Sequence, residues 1–199
     1  MDGHPIKKKY KWRGQIYSET RYAVIKWLER ELPKVTGDVL NVASGNWDVP
    51  KKLLTNPKLG KYTTFDQKWY GDSKNKVDVR GDIHNAPKDW TNKWDCVICN
   101  QAIECFENPF KAMDEFYRIL KPKGVLYIDA PFNYRFFGEG TFPGAKPKKQ
   151  PVKDYWRISE DGWRLLTKKF SSVKIERSGP NKWDPYTYMV TAVKGGKYD

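Results

Sequence analysis

The chain has 199 residues, enough for one domain with a sizeable core and short for two, and it is read as a single domain over 1–199. Lys and Arg number 37 against 24 Asp and Glu, a formal net charge of +13, so phosphate-bearing or other anionic partners are attracted and nucleic acid stays open as one of them. Three cysteines, no export signal and no long apolar stretch argue against a disulfide-stapled secreted scaffold or a membrane protein, and point to a reducing cytoplasm.

Residues 1–15 carry Lys7, Lys8, Lys9, Lys11 and Arg13 and read as a basic N-terminal arm. Tyr17 to Leu32 has apolar residues at helical spacing behind Ser18-Glu19-Thr20-Arg21, which predicts an amphipathic helix stopped by Pro33. Asp38 to Val42 is an apolar strand that runs into Ala43-Ser44-Gly45-Asn46-Trp47 ahead of a short helical segment. Strand, tight turn and helix is how an α/β protein presents backbone N–H groups to a nucleotide-like ligand. Only Gly45 of a G-x-G-x-x-G fingerprint is present, which argues against a nicotinamide-linked dehydrogenase. Tyr62 to Asp66 is a second strand ending in an acid, and Val77 to Ile83 a third with Asp82 near its end; the ten residues between them are too few for a crossover helix. Trp94 to Asn100 is a fourth strand, Phe110 to Leu120 a helix, and Lys121-Pro122-Lys123-Gly124 a turn before a fifth strand, Val125 to Ala130. Cys96 and Cys99 form a C-x-x-C, yet at i and i+3 of a strand they face opposite sides, so they read as buried thiols and no metal is expected.

The stretch 131–157 is rich in aromatics, Gly and Pro and has little periodicity, and it follows a strand at the carboxyl edge of the sheet. It reads as a substrate lid, with a basic surface loop as the alternative. Ser159 opens a helix through Trp163, Leu166 and Phe170. Val173 to Glu176 and Tyr186 to Val193 are two last strands, joined by a hairpin-length loop over 180–185.

The ordered phrases VLNVASG, FDQ, GDIHNAP, WDCVICNQAIECFENPFKAMDEFYRILKPKG and VLYIDAPF, over about residues 37–132, resemble the class I S-adenosylmethionine-dependent methyltransferases, in particular the small type 11 branch. The resemblance implies an α/β fold: a Rossmann-like three-layer sandwich whose mostly parallel seven-stranded sheet has an antiparallel C-terminal strand. It implies S-adenosyl-L-methionine as methyl donor. By the resemblance Asn41, Ala43, Ser44 and Gly45 line the methionine half of that donor, although Asn41 stands where an acid is usual, and Ala43 and Trp47 where glycines are. Asp66 takes the ribose hydroxyls, which calls for an ionised acceptor with two oxygens, and Gln67 lies beside the adenosine. Asp82 and Ile83 frame the adenine, while Asn100 and Gln101 face the sulfonium and the incoming nucleophile.

No catalytic base is assigned; His84, Gln101 and Glu104 are the candidates. An imidazole suits proton removal from a hydroxyl or amine, but His84 falls beside the adenine position implied by the resemblance, and Glu104 is either a base or the N-terminal acid of the following helix. Tyr134, Arg135, Tyr155 and Arg157 form the candidate substrate site: the two arginines would clamp a phosphate or carboxylate, or else Tyr155 packs the lid and Arg157 caps it. The resulting expectation is methyl transfer to O or N of a small-molecule or sugar-containing acceptor. A nucleic-acid methyltransferase and a non-catalytic basic nucleic-acid-binding module on the same fold are the alternatives.

Overall fold

The computed structural model describes residues 9–45, 47–67, 77–134 and 153–196. Strands β1 (Lys9–Trp12) and β2 (Gln15–Ser18) form an antiparallel hairpin around Arg13 and Gly14, whose φ values of 44° and 85° give the twist a two-residue turn needs. This corrects the reading of 1–15 as an arm for residues 9–15. Trp12 is buried and donates from Nε1 to Glu29 Oε1 at 2.6 Å, and Tyr10 stacks on Tyr22 at 4.7 Å, so the aromatics rather than the lysines decide the conformation. Residues 1–8 lie outside the described residues.

Helix α1 (Glu19–Glu31) starts two residues later than its periodicity suggests, because Ser18 caps it and Tyr17 belongs to β2. The remaining elements are β3 (Gly37–Val42), α2 (Val49–Leu53), β4 (Leu59–Asp66), β5 (Val79–Arg80), β6 (Trp94–Asn100), α3 (Pro109–Ile119), β7 (Leu120–Pro131), α4 (Glu160–Leu166), β8 (Ser172–Ser178) and β9 (Thr187–Val193). Two readings shift here. Val77 to Ile83 contributes only the two residues of β5. Lys121 to Gly124 does not precede the fifth strand but forms an irregular start of β7, between the pairs Trp94 with Leu120 and Cys96 with Val125.

The seven-stranded sheet has the order β5-β4-β3-β6-β7-β9-β8, parallel from β5 to β7, with β9 antiparallel to both neighbours. Alternation along the central strands divides the core. Val39, Cys96, Ile98 and Tyr127 pack with Trp12, Trp27 and Leu28, while Leu40, Val97, Cys99 and Leu126 pack with Phe116, Ile119 and Trp163 on the other face. Cys96 and Cys99 therefore sit in different cores as free thiols. The chain order reverses between β3 and β6, which opens a crevice at their carboxyl ends. No helix among the described residues is long and apolar enough to cross a membrane. The connection 68–76 and residues 135–152 of the 131–157 loop, Arg135 included, lie outside the described residues.

Candidate functional site

Beyond β3 the backbone turns through Ala43 (φ 50°) and Gly45 (φ 48°), left-handed positions that expose successive amides. Ala43 N–H donates to the Phe65 carbonyl at 2.7 Å and Gly45 N–H to Asp66 Oδ2 at 3.0 Å, so the acid at the tip of β4 is tied to the loop after β3. Asp66 is buried beneath this turn. A cleft of about 570 Å³ opens beside it. Ala43, Asp66 and Gln67 line one wall, Asp82, Ile83 and His84 the next, Gln101, Cys105 and Phe106 the third, and Lys153 and Tyr155 the rim.

Asp82 caps the short turn Ile83–Asn85, accepting from His84 N at 2.9 Å. Burial pushes its carboxyl up, but hydrogen bonds from His84 and Gln67 outweigh that and hold it below the usual carboxylate range. His84 places Nδ1 2.7 Å from Asp82 Oδ1 and Nε2 3.1 Å from the Asn108 carbonyl, so both ring nitrogens face oxygen acceptors within the protein. The imidazole stands edge-on to Phe106 and works as a brace for Asp82.

Asn41, Ser44 and Asn100 do not line this cleft. They surround an adjoining void of about 10 Å³, together with Ala43, Trp47 and Pro50. The Asn41 amide donates to Tyr62 Oη at 2.8 Å, and burial pushes that hydroxyl up to about 12. Asn100 Nδ2 donates to Asp129 Oδ1 at 2.5 Å, the Gln101 side-chain amide donates to Asp129 Oδ2, and Gln101 N–H reaches the Asp129 carbonyl at 3.2 Å. Burial pushes the Asp129 carboxyl up to about 7 although these donors pull it down. Sequence reasoning misses Asp129; its one signal is that it stands as a lone acid inside the apolar run Val125 to Pro131.

Glu104 is fully buried in the turn Ile103–Cys105, and neither carboxylate oxygen has a partner in another residue among the described residues. Burial pushes its carboxyl up to about 8 against the pull of its own backbone amide, and the neighbouring Asp129 and Asp154 add to the rise. It is not the first acid of α3, whose cap is Asn108, with Oδ1 accepting from Lys111 N at 3.0 Å. The Glu104 carbonyl instead takes Tyr155 N at 2.8 Å and Trp156 N at 3.1 Å, pinning the strap 153–157 over the site.

Tyr155 lies at the cleft rim with its hydroxyl on Glu107 Oε1 at 3.1 Å. Arg157 does not reach out as a clamp: its guanidinium grips Asp154 at 2.6 and 2.8 Å and the carbonyls of Tyr134 at 3.1 Å and Trp156 at 2.8 Å. Tyr134 meets it through backbone alone in that contact. Of the candidates, then, Ala43, Asp66, Gln67, Asp82, Ile83, His84, Gln101 and Tyr155 converge on one cleft, Gly45 ties its wall, and Glu104, Tyr134 and Arg157 stand behind it.

The strand order, with acid-tipped strands around a crevice at the reversal, defines a Rossmann-like α/β protein. Residues 60–128 match the family described as methyltransferase domain, type 11. The human thiol S-methyltransferase TMT1B is 28% identical over 98 residues, 46% of this chain and 39% of the relative, so the chain spans about two fifths of that relative's length. A SAM-dependent methyltransferase from Archaeoglobus fulgidus superposes with a TM-score of 0.61 at 15% identity, covering 87% of this chain and 94% of that one. A chain from the complex of the Haloferax volcanii Trm112 methyltransferase activator with a methyltransferase gives 0.60 at 16%, covering 85% and 88%. Over residues 60–128 the chain is thus similar to the methyltransferase-domain family, and the solved methyltransferases share its fold.

Proposed function

We propose that the protein transfers a methyl group from S-adenosylmethionine to a small-molecule or sugar-containing acceptor entering beside Tyr155. The observation that carries this reading is Asp66: a buried strand-tip carboxylate joined to the loop after β3 and facing a cleft of nucleoside dimensions. The residues present fit the donor. Asp66 would accept the ribose hydroxyls, Asp82 and Ile83 would hold the adenine edge and face, with Gln67 closing that side, and Gln101 would face the reacting centre from a strained φ of 48° fixed by Asp129. Bound S-adenosylmethionine supplies an electrophilic methyl for in-line displacement, so positioning alone can carry much of the rate.

His84 acts on Asp82 rather than on the acceptor, because both its ring nitrogens are engaged away from the strap. Oxygen and nitrogen remain the proposed acceptor atoms, and the name of the human relative adds sulfur. The paired burial of Cys96 and Cys99 as free thiols supports a reducing, cytoplasmic setting. Calorimetric titration with S-adenosylmethionine and S-adenosylhomocysteine tests the donor site. Micromolar binding, weakened about a hundredfold by Asp66→Ala through loss of two hydrogen bonds to a charged group, is the expected result. Binding that survives the substitution unchanged overturns the assignment of Asp66.

One observation favours a second reading, a nucleic-acid methyltransferase or binding module: the net charge of +13, with Lys182 4.4 Å over the exposed Trp183 ring as a ready stacking platform.

A further inference from the structure

The two edges of the sheet are built differently. At one end stands β5, two residues long; at the other stands β8, seven residues that pair with β9 in one unbroken register. No further strand pairs with β8 among the described residues, and Ser172 to Ser178 contains neither Pro nor Gly. A regular edge of this length is a template for another strand, and proteins usually guard it with Pro, a bulge or unmatched charge.

The charges on β8 are matched instead. Alternation puts Val173, Ile175 and Arg177 on the face of α4, where Ile175 packs against the core around Trp163 and Arg177 reaches Glu160 at 3.2 Å. Lys174 and Glu176 share the opposite face, 3.1 Å apart, and Arg30 of α1 also holds Glu176 there at 2.5 Å. The run Ser-Val-Lys-Ile-Glu-Arg-Ser is therefore complementary to its own reverse about Ile175. An antiparallel copy centred on Ile175 pairs all seven residues: Ser172 with Ser178, Val173 with Arg177 and Lys174 with Glu176. Directly opposed residues share a face, so two ion pairs form on the α1 side, while on the α4 side the exposed Val173 meets the alkyl stem of Arg177. Centring on Lys174 or on Glu176 would set that residue opposite itself, like charge against like, so the charges select one register.

We propose that β8 is a self-association surface, at which two copies of the chain join edge to edge about a two-fold axis through Ile175 and form one continuous sheet. Such an interface uses the same patch on both copies and closes on itself. The cleft lies at the carboxyl ends of β3 and β6, and β6 is three strands in from β8, so both clefts stay open.

Sedimentation velocity on the whole chain over a concentration series tests this, at about 150 mM salt, where the net charges of +13 are screened beyond about 8 Å. The native chain is expected to pass from monomer to dimer as concentration rises. Lys174→Glu sets carboxylates opposite each other on both sides of the axis, and Glu176→Lys sets ammonium groups there. Each is expected to weaken the dimer about tenfold or more, and an equimolar mixture of the two to recover it, because every opposed pair again has opposite signs. Net charge alone predicts the reverse for Lys174→Glu, which lowers the repulsion between copies. Thermal melting checks that both variants fold; the Lys174 side chain is 63% exposed, so Lys174→Glu decides alone if Glu176→Lys does not fold. A native chain that stays monomeric, a dimer as tight with Lys174→Glu as without it, or a mixture of folded variants no tighter than either one overturns the proposal.

Discussion

Glu104 shows how a single residue ties this site to solution conditions. Its carboxyl is pushed up to about 8 and that of Asp129 to about 7, both chiefly by burial, whereas in the unfolded chain both lie near 4. Between those values the folded state holds more protons than the unfolded one, so stability is greatest at the acidic end of the window and falls as pH rises toward 8. Glu104→Gln removes its share of the slope: urea unfolding at pH 5 and pH 8 should show the variant losing less stability than the native chain, by on the order of 3 kcal/mol. An unaltered slope would mean that the carboxylate is solvated. At this scale the position of Asp66 at the end of β4 was legible, because it closes the strand-forming run Tyr62 to Phe65. The roles of Asp129 and Arg157 were not: whether a charged side chain turns inward depends on partners 28 and 3 residues away in the chain.

Among the elements, the strap 153–157 behaves as a structural tie. Arg157 and Asp154 are paired twofold with their side chains 13% and 1% exposed, and two amides of the strap hang on one carbonyl of Glu104. Arg157→Ala breaks a buried pair and is expected to cost about 3 kcal/mol, lowering Tm by roughly 6–12 °C, and adding Asp154→Asn should recover part of it. A melting temperature that does not move would return Arg157 to the role of a substrate clamp. Elements with strong periodicity were readable to within a residue or two: Trp94 to Asn100 stands as read, and α3 closes at Ile119. The hairpin of β1 and β2 was hidden because its lysines are conspicuous, while its stability comes from Trp12 meeting Glu29, a contact 17 residues apart.

For the whole molecule the decisive quantity is the net charge of +13. If that field alone draws nucleic acid, single-strand binding in a fluorescence titration should be indifferent to sequence and to Asp66→Ala, and weaken about tenfold or more between about 50 and 200 mM salt. Absence of binding at the lower salt removes the second reading. The order of the strands and helices from α1 onward was determined by the sequence itself, because it is written as local periodicity and as short phrases at fixed spacing. Tertiary structure alone decided which polar groups meet. It tied Gly45 to Asp66, set Arg157 against the Tyr134 carbonyl and left Glu104 without a partner in another residue among the described residues, since such contacts depend on packing between elements far apart in the chain.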